Sequence, residues 1–405
     1  MKKIWFFNFT DPIPSNNSNF SRRHESLVNN LALKGNHITW VTNNFSHTQK
    51  KHLHADACHT KLKILKLNSL GYKKNISFRR IFHNILLSFS VFTLIIKTPK
   101  RLKPEIILIS FPPIETSFIL SILSRIYRIK LLIDVRDLHP EVFHDLFKSV
   151  FTRALMHVVL MPYRLMVLST LRLSDSIFTT SPDFSHYLKK KYRLNVLPKS
   201  FYHWYKDDGI NEKDLNKFFF TAHIRNYISS VNDPVVFSYC GSLSKRMDFL
   251  NFIEVFKSIN DRSKILVLCG SGDQFDTLKK KASSSKNIFV SSQVSREEVS
   301  AIYKISDYGL LPYPPDIDFQ LAPPTKLSEI LFHNLKVICS EDTYIHKNLS
   351  NKIIGEYYKF NDFSSLRRSI IKSSKTDPID PINKEYWKKN FNYSISSAMS
   401  EEILL

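Results

Sequence analysis

The sequence predicts an α/β protein built from two tandem Rossmann-like, doubly wound domains facing a cleft. Three observations lead there. Short apolar runs alternate with longer segments of helical periodicity over nearly the whole length, as strand–helix–strand units of a parallel sheet require. The alternation fails once, between Phe201 and Ser230, and then resumes. The 405 residues, 43% apolar and 13% aromatic, suffice for two sizeable cores and exclude wholesale disorder.

Taken in order, the first half offers strands at Lys3 to Phe9, His37 to Thr42, Leu62 to Leu67, Glu105 to Phe111, Lys130 to Val135 and Ser176 to Thr180. Amphipathic segments lie between them: Ser21 to Leu33, Phe78 to Lys97, Glu115 to Tyr127, Phe151 to Leu173 and Pro182 to Tyr192. The second series runs from Pro234 to Cys240, through a helix near Lys245 to Asn260, to Lys264 to Cys269. It continues with Gln274 to Ala282, Asn287 to Val290, Arg296 to Ser306, Tyr308 to Leu311, Lys326 to Phe332 and Lys336 to Ser340. The implied domains are 1–200, a connection at 201–230, a second domain at 231–375, and a helical tail at 376–405, with Trp387, that packs back on the first domain.

Lysine and arginine number 58 against 36 acidic residues, a surplus of +22 that draws the chain to an anionic partner. Nucleic acid, acidic lipid and phosphate-bearing small molecules are the candidates. The four cysteines, Cys58, Cys240, Cys269 and Cys339, have no metal-like spacing and read as small buried hydrophobes in a reducing cytosol. Residues 1–9 read as a strand, since no small-residue cleavage site follows them. The longest apolar run elsewhere, Ile85 to Ile96, holds about 12 residues against the roughly 20 of a spanning helix, so no transmembrane helix is expected.

Open parallel sheets bind ligands beyond the carboxyl ends of their strands. Three of only eight glycines, Gly241, Gly270 and Gly272, follow two strands of the second domain directly. A lone strand-end glycine is commonly just a turn. Two in successive units, the first followed by Ser242, Lys245 and Arg246, fit a phosphate cradle. Downstream of Tyr313 comes Ala322-Pro323-Pro324-Thr325-Lys326-Leu327-Ser328-Glu329. Thr325 suits an N-cap, and Lys326 and Glu329 share a helical face. In isolation they read as a solvated ion pair. After a strand and opposite the Gly241 loop they suit phosphate neutralisation and a carboxylate accepting ribose hydroxyls. Asp316 and Asp318 read as solvated loop carboxylates.

Pro-Thr-Lys-x-x-Glu followed by the strand Lys336 to Ser340 resembles the donor segment of family 4 glycosyltransferases of the GT-B fold, above all bacterial enzymes that build O-antigen, capsule and exopolysaccharide. Three more segments carry the resemblance in order. They are Trp5 to Asp11 with Arg22-Arg23-His24 and Thr39-Trp40-Val41-Thr42; Asp134-Val135-Arg136-Asp137-Leu138-His139-Pro140-Glu141; and Tyr239 to Leu243. The departures are asparagine and serine in the loop from Asp11 to Ser21, His139 in place of tryptophan, and Leu321 where many relatives carry an upstream glutamate. Asn16 and Asn17 accept left-handed backbone in place of glycine.

The resemblance implies transfer of a sugar from a nucleotide diphosphate with retention of configuration. No metal or other cofactor is implied, because Lys245, Arg246, Lys326 and helix-terminal amides can neutralise the leaving diphosphate. The donor set is Gly241, Ser242, Lys245, Arg246, Gly270, Gly272, Tyr313, Thr325, Lys326 and Glu329; the acceptor set is Asp11, Arg22, Arg23 and His47. Asp134, Asp137 and His139 are catalytic candidates, with structural roles the alternative: the two aspartates flank Arg136, and a satisfied structural histidine is common.

Arg79 and Arg80 precede an apolar helix that ends in Lys97, Lys100, Arg101 and Lys103, with Phe82, Leu86, Phe89 and Phe92 as its nonpolar surface; Ala154 to Leu173 is likewise punctuated by arginines. Such stripes are usually core. The flanking cations also fit peripheral docking on the anionic cytoplasmic face of the plasma membrane, where a lipid-linked saccharide acceptor would sit. A nucleic-acid-binding protein would explain the charge but lacks a reading motif. A silent scaffold of the same fold is allowed by Leu321, and a nucleotide-sugar epimerase by the architecture.

Overall fold

The long apolar runs become the central strands of two parallel sheets, because a strand covered on both faces must be apolar on both. The computed structural model describes residues 1–12, 23–47, 50–52, 62–73, 77–141, 150–206, 209, 212–374 and 381–405. The chain divides into two units, Met1–Tyr202 with Ser394–Leu405, and His203–Tyr393.

The first unit contains β1 (Lys3–Phe7), α1 (Arg23–Leu33), β2 (His37–Asn43), a short antiparallel ribbon of β3 (Phe45–Ser46) and β4 (Lys51–His52), β5 (Lys63–Leu67) and α2 (Phe78–Lys97). There follow β6 (Ile106–Phe111), α3 (Ile114–Tyr127), β7 (Lys130–Val135), α4 (Val150–Val159), α5 (Met161–Leu173), β8 (Ser176–Thr179), α6 (Pro182–Tyr192) and β9 (Lys199–Ser200). Seven strands form a parallel sheet in the order β5-β2-β1-β6-β7-β8-β9. Every residue of β6 is buried.

The second unit contains α7 (Phe219–Ile228), β10 (Val235–Cys240), α8 (Phe249–Ile259), β11 (Lys264–Cys269), α9 (Phe275–Ala282), β12 (Ile288–Ser291), α10 (Arg296–Lys304), β13 (Tyr308–Leu311), α11 (Ile317–Leu321) and α12 (Lys326–Phe332). It ends with β14 (Lys336–Ser340), α13 (Tyr344–Leu349), β15 (Gly355–Tyr358), α14 (Phe363–Lys372) and α15 (Ile382–Asn390). Its sheet is parallel in the order β12-β11-β10-β13-β14-β15. In each sheet the winding reverses beside one strand, β1 and β10 respectively, and open parallel sheets bind ligands at such reversals.

Four features differ from the sequence reading. The segment expected as one helix from Phe151 breaks at Leu160, because Pro162 near the start of α5 lacks the amide that continuation needs. The stretch read as a connection belongs to the second unit from His203 onward: Glu298 accepts from the Phe220 and Thr221 amides at 3.1 and 3.2 Å, capping α7. Trp387 packs edge-on against Phe332 within the second unit, with ring centroids 4.9 Å apart. Only α16 (Ser394–Leu404) joins the first unit, where Asn30 donates to Ser396 Oγ at 2.9 Å and Lys34 pairs with Glu401 at 3.1 Å.

The fourth difference is α2, which at 20 residues is long and apolar enough, by length and composition, to cross a membrane. The helix is longer than the apolar run Ile85 to Ile96 because it takes in the polar residues Arg79, Arg80, His83 and Asn84 before it. In the fold, His83, Leu87, Ser88, Val91 and Ile95 are buried and α2 packs beside α3. Ser77 accepts from the Arg80 amide at its start.

Candidate active site

In the first unit a charged network lies under the carboxyl ends of β1 and β7. Arg23, at the start of α1, forks onto Asp134 with Nε to Oδ2 at 2.8 Å and Nη2 to Oδ1 at 2.9 Å. Its other nitrogen donates to the carbonyls of Phe201 and Tyr202. His24 bridges two carboxylates, with Nε2 2.8 Å from Asp134 Oδ2 and Nδ1 2.7 Å from Asp11 Oδ2. Asn8 donates to Asp11 at 2.8 Å, and Arg136 reaches Asp11 Oδ1 at 3.0 Å and Thr10 Oγ1 at 3.1 Å.

Burial works against the charge on Asp134, but Arg23 and His24 outweigh it and hold the carboxyl well below the usual carboxylate range. Asp11 is likewise held low against its burial by Arg136, His24 and Asn8. Asp134 therefore stays ionised and is spent inside the protein, with no exposed surface. This corrects its place among catalytic candidates and that of Arg23 in the acceptor set: both are positioning residues. Arg136 bonds to Asp11, and the charges of Asp137 and Asp134, the two aspartates that flank it, also favour its guanidinium. Asp11 retains 17% side-chain exposure at the sheet edge and is the carboxylate this network presents.

Asp137 is exposed, and His139, half-buried, follows it in the turn after β7. Burial lowers the His139 imidazole, against the opposing pull of Asp137. His47 follows β3 and meets the Tyr72 hydroxyl through Nδ1. Arg22, Asn16, Asn17 and Cys58 lie outside the described residues.

In the second unit Gly241 and Lys326 come together: a Cβ on Gly241 would lie 3.2 Å from Lys326 Cε. Lys326 Nζ is 2.9 Å from Glu329 Oε2, and Glu329 keeps 13% side-chain exposure. Arg296, from the first turn of α10, stands 3.9 Å from the other Glu329 oxygen and over the Tyr205 ring. Sequence reasoning missed Arg296. It is 33 positions upstream of Glu329 in a helix whose charged pattern reads as solvated surface.

Gly270 and Gly272 act differently from the expected cradle. A Cβ on Gly270 would fall 1.7 Å from Gly241 O, and one on Gly272 2.3 Å from Leu243 O. They let the loop after β11 pack backbone to backbone under the Gly241 loop, with Gly241 N donating to Cys269 O and Leu243 N to Ser271 O. Ser242 is exposed on that loop, and its carbonyl accepts from Tyr239 Oη at 3.1 Å. Lys245 is exposed, with its amide bound to Asp273 Oδ1 at 2.8 Å. Arg246 pairs with Asp316 at 2.7 Å, so Asp316 is not merely solvated.

Two further expectations are corrected. Thr325 is exposed, has helical backbone angles and makes no side-chain cap bond, because the two prolines before it already fix the approach to α12. Tyr313 is buried against Phe319 and Tyr239, where it shapes the floor under the Gly241 loop.

Comparisons with known proteins bear on the fold that carries these residues. Residues 221–379 match the family model described as glycosyl transferases group 1. No curated protein matches the sequence. The fold is similar over 99% of this chain and 98% of the other to a sucrose-phosphate synthase from Thermosynechococcus elongatus, at 14% identity and a TM-score of 0.69. Anabaena Alr3699/HepE, solved in complex with UDP and glucose, aligns over 100% and 99% of the two chains at 12% identity and a TM-score of 0.64. WaaG, a glycosyltransferase involved in lipopolysaccharide biosynthesis, aligns over 99% of each chain at 13% identity and a TM-score of 0.65. The fold is that of the GT-B glycosyltransferases.

Proposed function

We propose that this chain, a glycosyltransferase of the GT-B fold, moves a sugar with retention from a nucleotide diphosphate sugar to a lipid-linked saccharide in bacterial surface polysaccharide assembly. The observation that carries the donor half is the convergence of Gly241, Lys326 and Glu329 beyond the strand where the second sheet reverses. The Gly241 turn lets a diphosphate approach the main chain. Lys326 neutralises its charge, with Lys245 and Arg246 nearby in sequence, and no metal is needed for that role. Glu329, held by Lys326 and Arg296, offers a fixed acceptor to ribose hydroxyls. The relatives solved with UDP and with a role in lipopolysaccharide biosynthesis support the same reading.

The acceptor half rests on the first unit. Asp11 is kept ionised and aimed at the sheet edge, suited to orient an acceptor hydroxyl, with Asp137 and His139 on the neighbouring turn. The outward face of α2 carries large apolar side chains, and exposed Lys97, Lys100 and Arg101 follow, which suits docking at the anionic cytoplasmic leaflet. Calorimetry with a panel of nucleoside diphosphates and their sugars tests the donor site, and proton NMR of the anomeric coupling in the product tests retention. A chain that binds donor yet turns over no acceptor would be the silent scaffold that Leu321 allows.

A further inference from the structure

Two loops of the second unit are tied together beside the donor residues. Arg246, in the loop after β10, places Nη2 2.7 Å from Asp316 Oδ2 and 3.8 Å from Asp318 Oδ2, with its guanidinium carbon 5.9 Å from the centroid of the Phe319 ring. These three partners lie in the segment after β13, and the two loops adjoin because β10 and β13 pair. Asp316 stands before α11, where an aspartate commonly caps; its side chain makes no cap bond and turns to Arg246 instead. Its carbonyl takes the Phe319 and Gln320 amides at 3.0 Å, so the start of α11 moves with it. A backbone tie, from Asp248 N to Pro312 O at 3.2 Å, joins the same loops.

The donor residues fix what α11 can meet. It ends at Leu321, five positions before Lys326, and packs beside α13, which follows β14. Arg296, the second partner of Glu329, belongs to α10, which follows β12 at the far edge of the sheet. A diphosphate at Gly241 and Lys326 with its ribose at Glu329 would then lead the nucleoside towards Arg296 and leave the sugar on the side of α11. Lys326 shares its carboxylate with Arg296, whereas Arg246 faces Asp318 as well as Asp316. A phosphate brought to that guanidinium would meet two acids, and like charges at such distances repel.

We propose that Arg246 is a positioning residue for donor-sugar recognition. Through Asp316 it holds α11 beside the Gly241 loop as the wall that the sugar meets, and it leaves phosphate neutralisation to Lys326. This rests on the reading that the second unit binds a nucleotide diphosphate sugar. The two side chains are 41% and 31% exposed, so the pair adds little to stability and its variants retain the fold.

Calorimetry on the full chain tests this, with UDP, ADP and GDP as probes, each alone and as its glucose conjugate. In Arg246→Gln and in Asp316→Asn the conjugate should lose about fivefold in affinity, while the parent diphosphate stays within about twofold of wild type. The charge-swapped Arg246→Asp/Asp316→Arg should recover the conjugate, because the tie re-forms with its ends exchanged. A guanidinium that binds phosphate gives a different pattern: Arg246→Gln then weakens diphosphate and conjugate equally, and Asp316→Asn spares both. That pattern, an unchanged conjugate in both single variants, or no recovery in the swap overturns the proposal. Any of these results in a chain whose wild type binds the diphosphates removes this inference alone. Wild type that binds none of the probes removes the donor reading and this inference with it.

Discussion

Arg23 and Asp134 stand 111 residues apart in sequence and meet through two parallel hydrogen bonds of 2.8 and 2.9 Å, their side chains 4% and 0% exposed. The pair ties α1 to the end of β7 and, through the carbonyls of Phe201 and Tyr202, to the last residues before the second unit. Replacing Arg23 by methionine leaves a buried carboxylate with one partner removed, a change that costs about 3 to 5 kcal/mol. Urea unfolding measures it. A loss below about 1 kcal/mol would show that water reaches Asp134 and that the network is no structural unit.

Gly270→Ala tests the packing of the donor loops. Its φ of 151° lies at the edge of the region side chains avoid, and the new methyl would sit 1.7 Å from Gly241 O. Because that neighbour is backbone, the Gly241 loop itself must shift. Loss of nucleoside diphosphate binding is expected in calorimetry, with the first unit still folded by limited proteolysis. Binding at wild-type affinity would mean that the donor does not depend on this loop.

Strands were legible because buried parallel strands are apolar throughout: Lys130–Val135, Lys264–Cys269, Tyr308–Leu311 and Lys336–Ser340 begin and end where the apolar runs do. Helix α2 was legible too, from Phe78 to Lys97. The β3–β4 ribbon and β9 are two residues per strand, too short for any period. Helix α7 was lost because its Phe218-Phe219-Phe220 start mimics a strand and its cap, Glu298, lies 78 residues away. The donor pair Lys326 and Glu329 showed because its geometry is local to one helix. Asp134 was misread because its partners come from α1, and no local pattern reveals which carboxylate is already spent. The same limit hid the difference between Gly241, which faces Lys326, and Gly270, which only makes room for it.

Acid should weaken the first unit at mild pH. His47 and His83 are each lowered to about 4 in the folded chain, by burial first and by neighbouring cations second. As pH falls from about 6.5 towards 4, the unfolded chain takes up protons that the folded chain refuses, so stability declines across that window and is flat above it. Asp248 opposes this, since burial raises it to about 6 and its contribution is recovered as pH falls from about 6 to 4. It lies in the second unit, and Asp248→Asn removes it from the measurement. In that background urea midpoints should drop between pH 7 and pH 4.5, and His47→Asn/His83→Asn should flatten the slope. An unchanged slope would mean that neither ring is shielded from protons.

Lys326→Gln and Glu329→Gln separate the two donor contacts. Glutamine at 329 keeps the shape but loses the charge that ribose hydroxyls would donate to, at a cost of about 1.5 to 3 kcal/mol in nucleotide affinity. Glutamine at 326 should weaken diphosphates strongly and the corresponding nucleosides little, because only the phosphates meet its charge. Equal loss for nucleoside and diphosphate would put Lys326 at the base or sugar instead. Unchanged affinity in both variants would return the pair to a solvated surface bridge.

The outer face of α2 should hold the protein on anionic membranes. Phe78, Phe82 and Phe89 are 89%, 63% and 68% exposed, and Ile81, Ile85, Leu86, Phe92 and Ile96 continue the same apolar surface. Lone exposed hydrophobes need no explanation, but a contiguous row on one helix does. The cations first assigned to this patch divide in the fold: Arg79 donates to Gly71 O at 3.1 Å and Arg80 lies over Tyr72, while Lys97, Lys100 and Arg101 remain exposed. Each well-placed basic residue adds about 1 kcal/mol near an anionic leaflet, and each buried phenyl adds an apolar contribution that salt does not screen. Replacing Phe82 and Phe89 by serine should therefore reduce sedimentation with phosphatidylglycerol vesicles at every ionic strength. Lys100→Gln/Arg101→Gln should reduce it only at low salt. Nucleotide binding in the second unit should survive both changes. If wild-type protein ignores the vesicles at low salt, or if the serine variant sediments as well as wild type, the face of α2 serves something other than a membrane.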